Sequence, residues 1–499
     1  MPVVTVPVGQ QDIAVQHMRP QPRKFRTHAP GWGRAHAGLL GVALLGCQLT
    51  ARPTATPTVA GPGEGIRTLA TRPAAGATHA PAQGPGDGLK TAEGGAGTAY
   101  AGVDGGILLG TSVKEQQQAP ARFAGPVPQG RGDPQRSGRT GYRISKLVPS
   151  EVWRVCTGGT IAATPTIASD GTVLFSSHDK HVYAVAPDGA LRWRHRTGDM
   201  VWSAAALVGP AAVNPAPSGP ATGGSDPLAL VGSDDDKLYA LRITDGTVAW
   251  TLSPGACRWP TGRSPEAARC DIEDVTLARD GTAYFGGEAI YAAKPDGKLL
   301  WSFSPEHPPE KKPHCSSAPA IAPDGSVRAV CQDALYALNP DGSKRWRFEG
   351  AGEFDSAPAV GSDGTAYVGD DARRLVAIDP AGQVRFSFTS GGPVRSAPAL
   401  RADGTVIFGA FDGVLYALRP DGTLAWSFTT ADSIQSSPLV DADGAVLFGS
   451  RDNRLYALSP DGSLRWSVVL EEDIDGTPTL GPDGTIYVGS DDRCLHAFR

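Results

Sequence analysis

A short signature that returns every 40 residues constrains this chain more than any other feature: Asp341-Gly-Ser-Lys-Arg-Trp346, Ala381-Gly-Gln-Val-Arg-Phe386, Asp421-Gly-Thr-Leu-Ala-Trp426 and Asp461-Gly-Ser-Leu-Arg-Trp466. The same signature occurs at Trp193, Trp250 and Trp301, with Trp153 as a lone forerunner. Each unit runs Ser-x-Pro-x-apolar, Asp-Gly, a short apolar or β-branched stretch, an Asp/Gly turn, Leu-Tyr-Ala-Leu, Pro-Asp-Gly, and a segment holding the tryptophan. Asp-Gly supplies the positive φ that tight hairpins need, so each unit predicts four short antiparallel strands. One such sheet cannot bury both faces alone. Repeated units therefore pack radially, as the blades of a propeller.

Units begin near residues 162, 202, 272, 316, 356, 396, 436 and 476, which makes eight. The last, Gly476 to Arg499, holds three strands and stops at Leu495-His-Ala-Phe498; its missing strand is Val152-Trp-Arg-Val155 at the other end of the body. The expected fold is all-β, an eight-bladed propeller over residues 146–499, closed by pairing the N-terminal strand with the C-terminal blade. That closure removes an open edge. One aromatic per blade at one register (Trp153, Trp193, Trp250, Trp301, Trp346, Phe386, Trp426, Trp466) is what inter-blade packing requires, and packing is preferred here to ligand stacking. Tyr183, Tyr239, Tyr291, Tyr336, Tyr416 and Tyr456 read as core.

The Leu-Tyr-Ala-Leu-x-Pro-Asp-Gly-x-x-x-Trp pattern resembles the pyrroloquinoline-quinone-type (PQQ-like) propeller repeat over roughly residues 150–499; the Gly-His and Trp-Asp pairs of WD40 repeats are absent. The resemblance implies either a lipoprotein similar to the BamB-type subunits of the outer-membrane protein assembly machine or a periplasmic quinoprotein alcohol dehydrogenase. Fold does not choose between them. The dehydrogenases hold their quinone with a disulfide between adjacent cysteines and with calcium bound by acidic and amide side chains. This chain has no Cys-Cys pair, so no cofactor is expected and PQQ is disfavoured.

The N-terminus reads as an export address. Arg19, Arg23, Lys24, Arg26 and Arg34 precede the apolar run Ala37 to Gly46 and then Cys47, a signal peptide and not a membrane span. Leu44-Leu-Gly-Cys47 resembles the bacterial lipobox, which implies lipidation at Cys47 and an extracytoplasmic, outer-membrane-anchored protein; in the plainer alternative Cys47 is incidental to an ordinary cleaved signal. Met18 is an alternative start. Residues 48–145, rich in Pro, Ala, Gly and Thr, read as a flexible tether, and Arg131-Gly-Asp133 within it as a chance match to an adhesion tripeptide. Residues 1–149 carry 16 Lys+Arg against 7 Asp+Glu, leaving 30 basic and 44 acidic residues in the body. Such a body repels phosphate backbones, which argues against nucleic acid.

Beyond Cys47 there are six cysteines, and export permits disulfides. Cys257 and Cys270 share one insertion, Cys315 and Cys331 one blade, and Cys156 and Cys494 the two adjoining strands of the closing blade; three disulfides are expected, against metal binding, for which no zinc-type spacing exists. Asp441-Ala-Asp443-Gly444 reads as a hairpin turn rather than a calcium loop, and Asp234-Asp-Asp236 as a solvated turn. No catalytic motif is present.

What remains is the rim. Residues just before each innermost strand vary where their neighbours repeat: Ala162, Trp202, Ile272, Ser316, Asp355, Arg395, Gln435 and Asp475. Loop drift is one explanation and a shaped binding face the other. The face is expected to be acidic, with Glu349, Glu353, Asp432, Glu471, Glu472 and Asp473 on the same side. The functional expectation is a membrane-tethered, non-enzymatic, monomeric scaffold that binds an envelope protein or glycan and meets the membrane only through its lipid. A quinoprotein-like oxidoreductase and an assembly-machine subunit are the alternatives.

Overall fold

Blade geometry follows from the turns. In the sixth unit, the strands Ala399–Leu400, Val406–Gly409, Val414–Leu418 and Leu424–Thr429 hinge at Gly404 and Gly422, both at positive φ (83° and 85°). There the Asp403 and Asp421 carboxylates accept the Thr405 and Thr423 backbone N–H groups at 2.9 Å. At Gly422 glycine is needed for a second reason, because a Cβ would stand 2.5 Å from the Phe386 ring.

In this computed structural model the described residues are 127–209, 226–255, 271–306, 314–315 and 317–499. They form eight four-stranded antiparallel sheets, the blades of a propeller. Glu151–Cys156 pairs with Cys494–Phe498, so the chain's two ends share the closing blade as expected. Cys156 lies directly opposite Cys494 and is bonded to it. Cys315 and Cys331 form a second disulfide within their blade. The expected pair Cys257 and Cys270, the expected signal segment with Cys47, and residues 48–126 of the expected tether lie outside the described residues.

The blade tryptophans act as inter-blade clamps. Indole Nε1 of Trp153, Trp193, Trp250, Trp301, Trp346 and Trp426 donates to a carbonyl in the last hairpin of the next blade, at 2.8–3.1 Å. Phe386 holds the register without a donor. The closing blade has no such hairpin, and Trp466 donates instead to Ser145 O (2.9 Å).

The expectation of a flexible tether up to residue 145 is corrected for residues 127–145, which pack inside the ring. Starting at Val127, this segment winds once past the innermost strands. Backbone N–H groups of Ile167, Leu207, Ile321, Val360, Leu400 and Val440, one from each of six blades, donate to carbonyls of Val127, Pro128, Pro134, Gln135, Ser137 and Gly138, and Leu277 N–H of a seventh donates to Gln129 Oε1 at 2.7 Å. These N–H groups belong to inner-edge strands that have no further strand to pair with, and buried backbone donors must be satisfied. The absence of a period of 2 or 3.6 misled the sequence reading, because the segment pairs irregularly, once per blade. It leaves between the turns of the seventh blade, where Ile144 N–H donates to Asp441 Oδ2 (3.0 Å), and Asp441 Oδ1 accepts from Asp443 and Ala445 as in an ordinary hairpin.

One blade carries a misfit. Arg328 is fully buried at a position that is Tyr367, Ile407, Leu447 and Tyr487 in other blades. It stacks on Trp346 (5.0 Å) and reaches Ser326 Oγ (2.8 Å), but among the described residues its Nε and Nη2 have no partner, and burial pushes its pKa down to about 10. Arg328→Tyr is therefore expected to raise stability by about 1–2 kcal/mol, since apolar replacement of an incompletely paired buried charge is commonly stabilising. Chemical denaturation of the variant beside wild type checks it; a lower midpoint would show that the stacking outweighs the unpaired donors.

Candidate functional site

The funnel mouth is built from two loop rings. The first ring holds the residue after each buried apolar spacer: Ile161-Ala162, Val201-Trp202, Ile272-Glu273, Phe354-Asp355, Val394-Arg395, Ile434-Gln435 and Ile474-Asp475. Trp202, Asp355, Arg395, Gln435 and Asp475 do converge on one cavity. Ile272 does not: it is a buried spacer that packs against Gly232 of the preceding blade, and Glu273 occupies the rim. The insertion before this blade blurs the alignment by one residue; matching the apolar spacers restores it. Ser316 lies outside the described residues.

The second ring comes from the turns between the second and third strands, one residue before an aspartate that recurs in most blades and is Ala372 in the fifth. It supplies His178, Asp371, Phe411, Arg451 and Asp491, and sequence reasoning missed it. Arg395 bonds Asp371 through two nitrogens (2.9 Å each) and Asp355 (3.2 Å). Arg451 likewise clasps Asp475 (2.9 and 2.8 Å) and reaches Gln435. Both guanidinium groups lie over the Phe411 ring, at 5.2 and 5.3 Å, so blades five to eight are joined by a continuous charged and aromatic arc. Trp202, 45% exposed, leans on His178 with ring centres 3.8 Å apart.

The expected acidity is partly corrected. Glu349 and Glu471 pair with Arg347 and Arg154 of outermost strands, but carboxyls crowd the mouth itself. Burial and the neighbouring Asp475 and Asp473 push Asp491 up to about 6. Burial, then Asp274, Asp234, Asp271 and Asp355, raise Glu273 well above the usual carboxylate range.

The floor comes from the inner segment. Arg131 and Arg136 line the mouth cavity and are only 2% and 4% exposed. Arg131 donates to the carbonyls of Arg136, Pro398 and Pro438; burial and the nearby Arg136 charge lower its pKa to about 9. The Arg-Gly-Asp tripeptide is thus an internal strut. Arg136 pairs with Asp274 at 3.2 Å.

The turn aspartates have a separate task. Asp179, Asp412 and Asp452 accept the hydroxyls of Tyr183, Tyr416 and Tyr456 at 2.6 Å, and Asp235 does the same for Tyr239 and for Gly198 N–H, so the 234–236 turn is a packed anchor rather than a merely solvated one. In the closing blade His496 replaces the tyrosine. Its Nε2 meets Asp492 and its Nδ1 meets Glu151 of the N-terminal strand, both at 2.8 Å. Burial opposes the charged ring, but the two carboxylates outweigh it and raise the pKa. The raised native pKa means this contribution is complete below about 6.5, the unfolded value, and is lost as pH rises through the native one. Thermal stability should fall as pH rises above about 6.5 in wild type and fall less in His496→Tyr; identical pH profiles would exclude His496 as the titrating group.

These features define an eight-bladed propeller of quinoprotein-type repeats, with a strand-swapped closure and an internally occupied channel. The family model described as outer membrane protein assembly factor BamB matches residues 179–334, 323–437 and 411–499, and the chain belongs to that family. Among solved structures the fold is similar to BamB from Moraxella catarrhalis (TM-score 0.52, 16% identity, covering 70% of this chain and 100% of that one). It is also similar to a europium-containing methanol dehydrogenase (0.58, 13%, 75% and 98%) and to the quinohemoprotein alcohol dehydrogenase of Comamonas testosteroni (0.58, 14%, 74% and 80%). At these identities the likeness concerns the fold. No curated protein sequence matches the chain.

Proposed function

We propose that this protein is an extracytoplasmic, lipid-anchored scaffold of the outer membrane that binds an envelope protein through the funnel mouth and turns over no substrate. The observation that carries the proposal is the rim: variable residues on an invariant ring converge as Trp202, Arg395, Arg451 and Phe411 set among carboxylates. Trp and Arg are the residue types most often found as binding hot spots, and rigid rings with variable loops serve as platforms. The disulfides suit an oxidising compartment. Membership of the BamB family favours a protein partner over a glycan.

A quinoprotein oxidoreductase is the second reading, favoured by the dehydrogenases among the structural neighbours. What speaks against a quinone site is the cysteine pattern: the sequence has no adjacent cysteines, and the described disulfides, Cys156–Cys494 and Cys315–Cys331, join residues 338 and 16 positions apart.

Trp202→Ala with Arg395→Ala is expected to weaken partner binding at least tenfold. The melting temperature should stay within a few degrees, because both side chains are about two-fifths exposed and a half-exposed ion pair contributes about 1 kcal/mol or less. Undiminished binding would move the interface elsewhere, and alcohol oxidation by the full chain supplied with pyrroloquinoline quinone and calcium would replace the scaffold reading with the enzymatic one.

A further inference from the structure

The floor of the funnel holds a cation whose hydrogen-bonding capacity the protein leaves largely unused. Arg136 has five N–H donors, yet among the described residues only Nη2 is bonded, to Asp274; Nε and Nη1 are buried and unpartnered. A buried donor without an acceptor is costly, and the chain incurs a second cost to place it. Arg136 and Arg131 both adopt left-handed backbone conformations (φ 53° and 64°), which disfavour residues with side chains and collect at functional sites. A turn secured by Arg136 N–H to Asp133 O (2.9 Å) holds the pose. Arg136 borders the cavity that opens to the rim, so an acceptor arriving through the mouth meets it.

The walls decide what kind of acceptor fits. Asp274 already accepts from Ala204 N–H (2.6 Å) as well as from Arg136. Above it Glu273, Asp355 and Asp475 surround the opening. A phosphate or sulfate, carrying more than one charge, is repelled by such walls. A single carboxylate flanked by cationic groups satisfies floor and rim together, since its oxygens accept from Arg136 while the cations offset the crowded acids. We propose that the funnel mouth receives the carboxylate end of a basic peptide segment, with Arg136 as its anchor. This rests on the mouth being the binding face and specifies the chemistry of what it binds.

The probes are an acetylated lysine-containing pentapeptide with a free C-terminal carboxylate, the same peptide amidated, and acetate alone, each titrated calorimetrically into the full chain. The acid form should bind at least tenfold more tightly than the amide, and acetate at least tenfold more weakly than the peptide acid. Arg136→Met should abolish the preference for acid over amide. Because that variant disturbs a buried pair, Asp274→Asn serves as the second test: it releases Arg136 from its internal partner and should tighten the acid form several-fold, a gain that misfolding cannot mimic. Equal affinity of acid and amide, or no binding of either, overturns the proposal, and acetate binding as well as the peptide acid would identify a small carboxylate as the ligand and overturn the peptide assignment. If acid and amide bind equally and both are lost in Trp202→Ala with Arg395→Ala, the mouth stands as the binding face and only the anchor falls.

Discussion

A chain that begins at residue 146 should melt at least 10 °C below one that begins before Val127, although both contain every strand of every blade. The inner segment accepts hydrogen bonds from the innermost strands of seven blades. At a net ~0.5–1.5 kcal/mol each these amount to roughly 4–10 kcal/mol, partly offset by the entropy of ordering the segment. It also buries Ile144 against the seventh and closing blades and supplies the carbonyl that receives Trp466. A domain whose whole stability is of order 5–15 kcal/mol cannot lose several without a clear effect. Differential scanning calorimetry of the two chains is the check; equal melting temperatures would mean that the segment occupies the channel without supporting the ring.

Breaking the ring's covalent closure should be nearly as damaging. Cys156 and Cys494 are 338 residues apart in sequence, and the chain-entropy model puts such a crosslink at roughly 6 kcal/mol, an upper value. Cys156→Ser with Cys494→Ser is expected to cost about 2–5 kcal/mol in denaturant unfolding. Amide exchange should accelerate first in Glu151–Cys156 and Cys494–Phe498. The pairing there is otherwise ordinary backbone bonding with the ion pairs of His496 and Arg154. The corresponding change at Cys315 and Cys331, 16 residues apart, should cost less, because the loop it closes is short. A smaller loss at the closing blade than at Cys315 would show that strand pairing alone holds the ring shut.

What was legible in the sequence was whatever the repeat imposes. The blades, the strand-swapped closure and the Cys156–Cys494 register all follow from superposing units 40 residues apart, because hairpin turns fix register. The rim was legible where units align without insertions, as at Asp355, Arg395, Gln435 and Asp475, and slipped by one residue at Ile272 after an insertion. The second ring could have been found the same way, since His178, Asp371, Phe411 and Arg451 vary at one register of the turn between the second and third strands, beside an aspartate that recurs in all of these blades but the fifth. The inner segment could not: its contacts run from irregular backbone to strand edges, and nothing in the order of Pro128, Gln135 or Gly138 records partners as distant in the chain as Leu207, Val360 and Val440. Arg136 was hidden for the same reason. Its meaning comes from the cavity above it.

Site-specific photocrosslinking in living cells tests the binding face most directly. A photoreactive residue at 202 or 435, on the rim, should yield one discrete protein adduct, whereas the same group at Leu464, half-exposed on an outermost strand, should yield none. Adducts from position 464 with none from 202 or 435 would contradict the proposal that this propeller works through its funnel mouth.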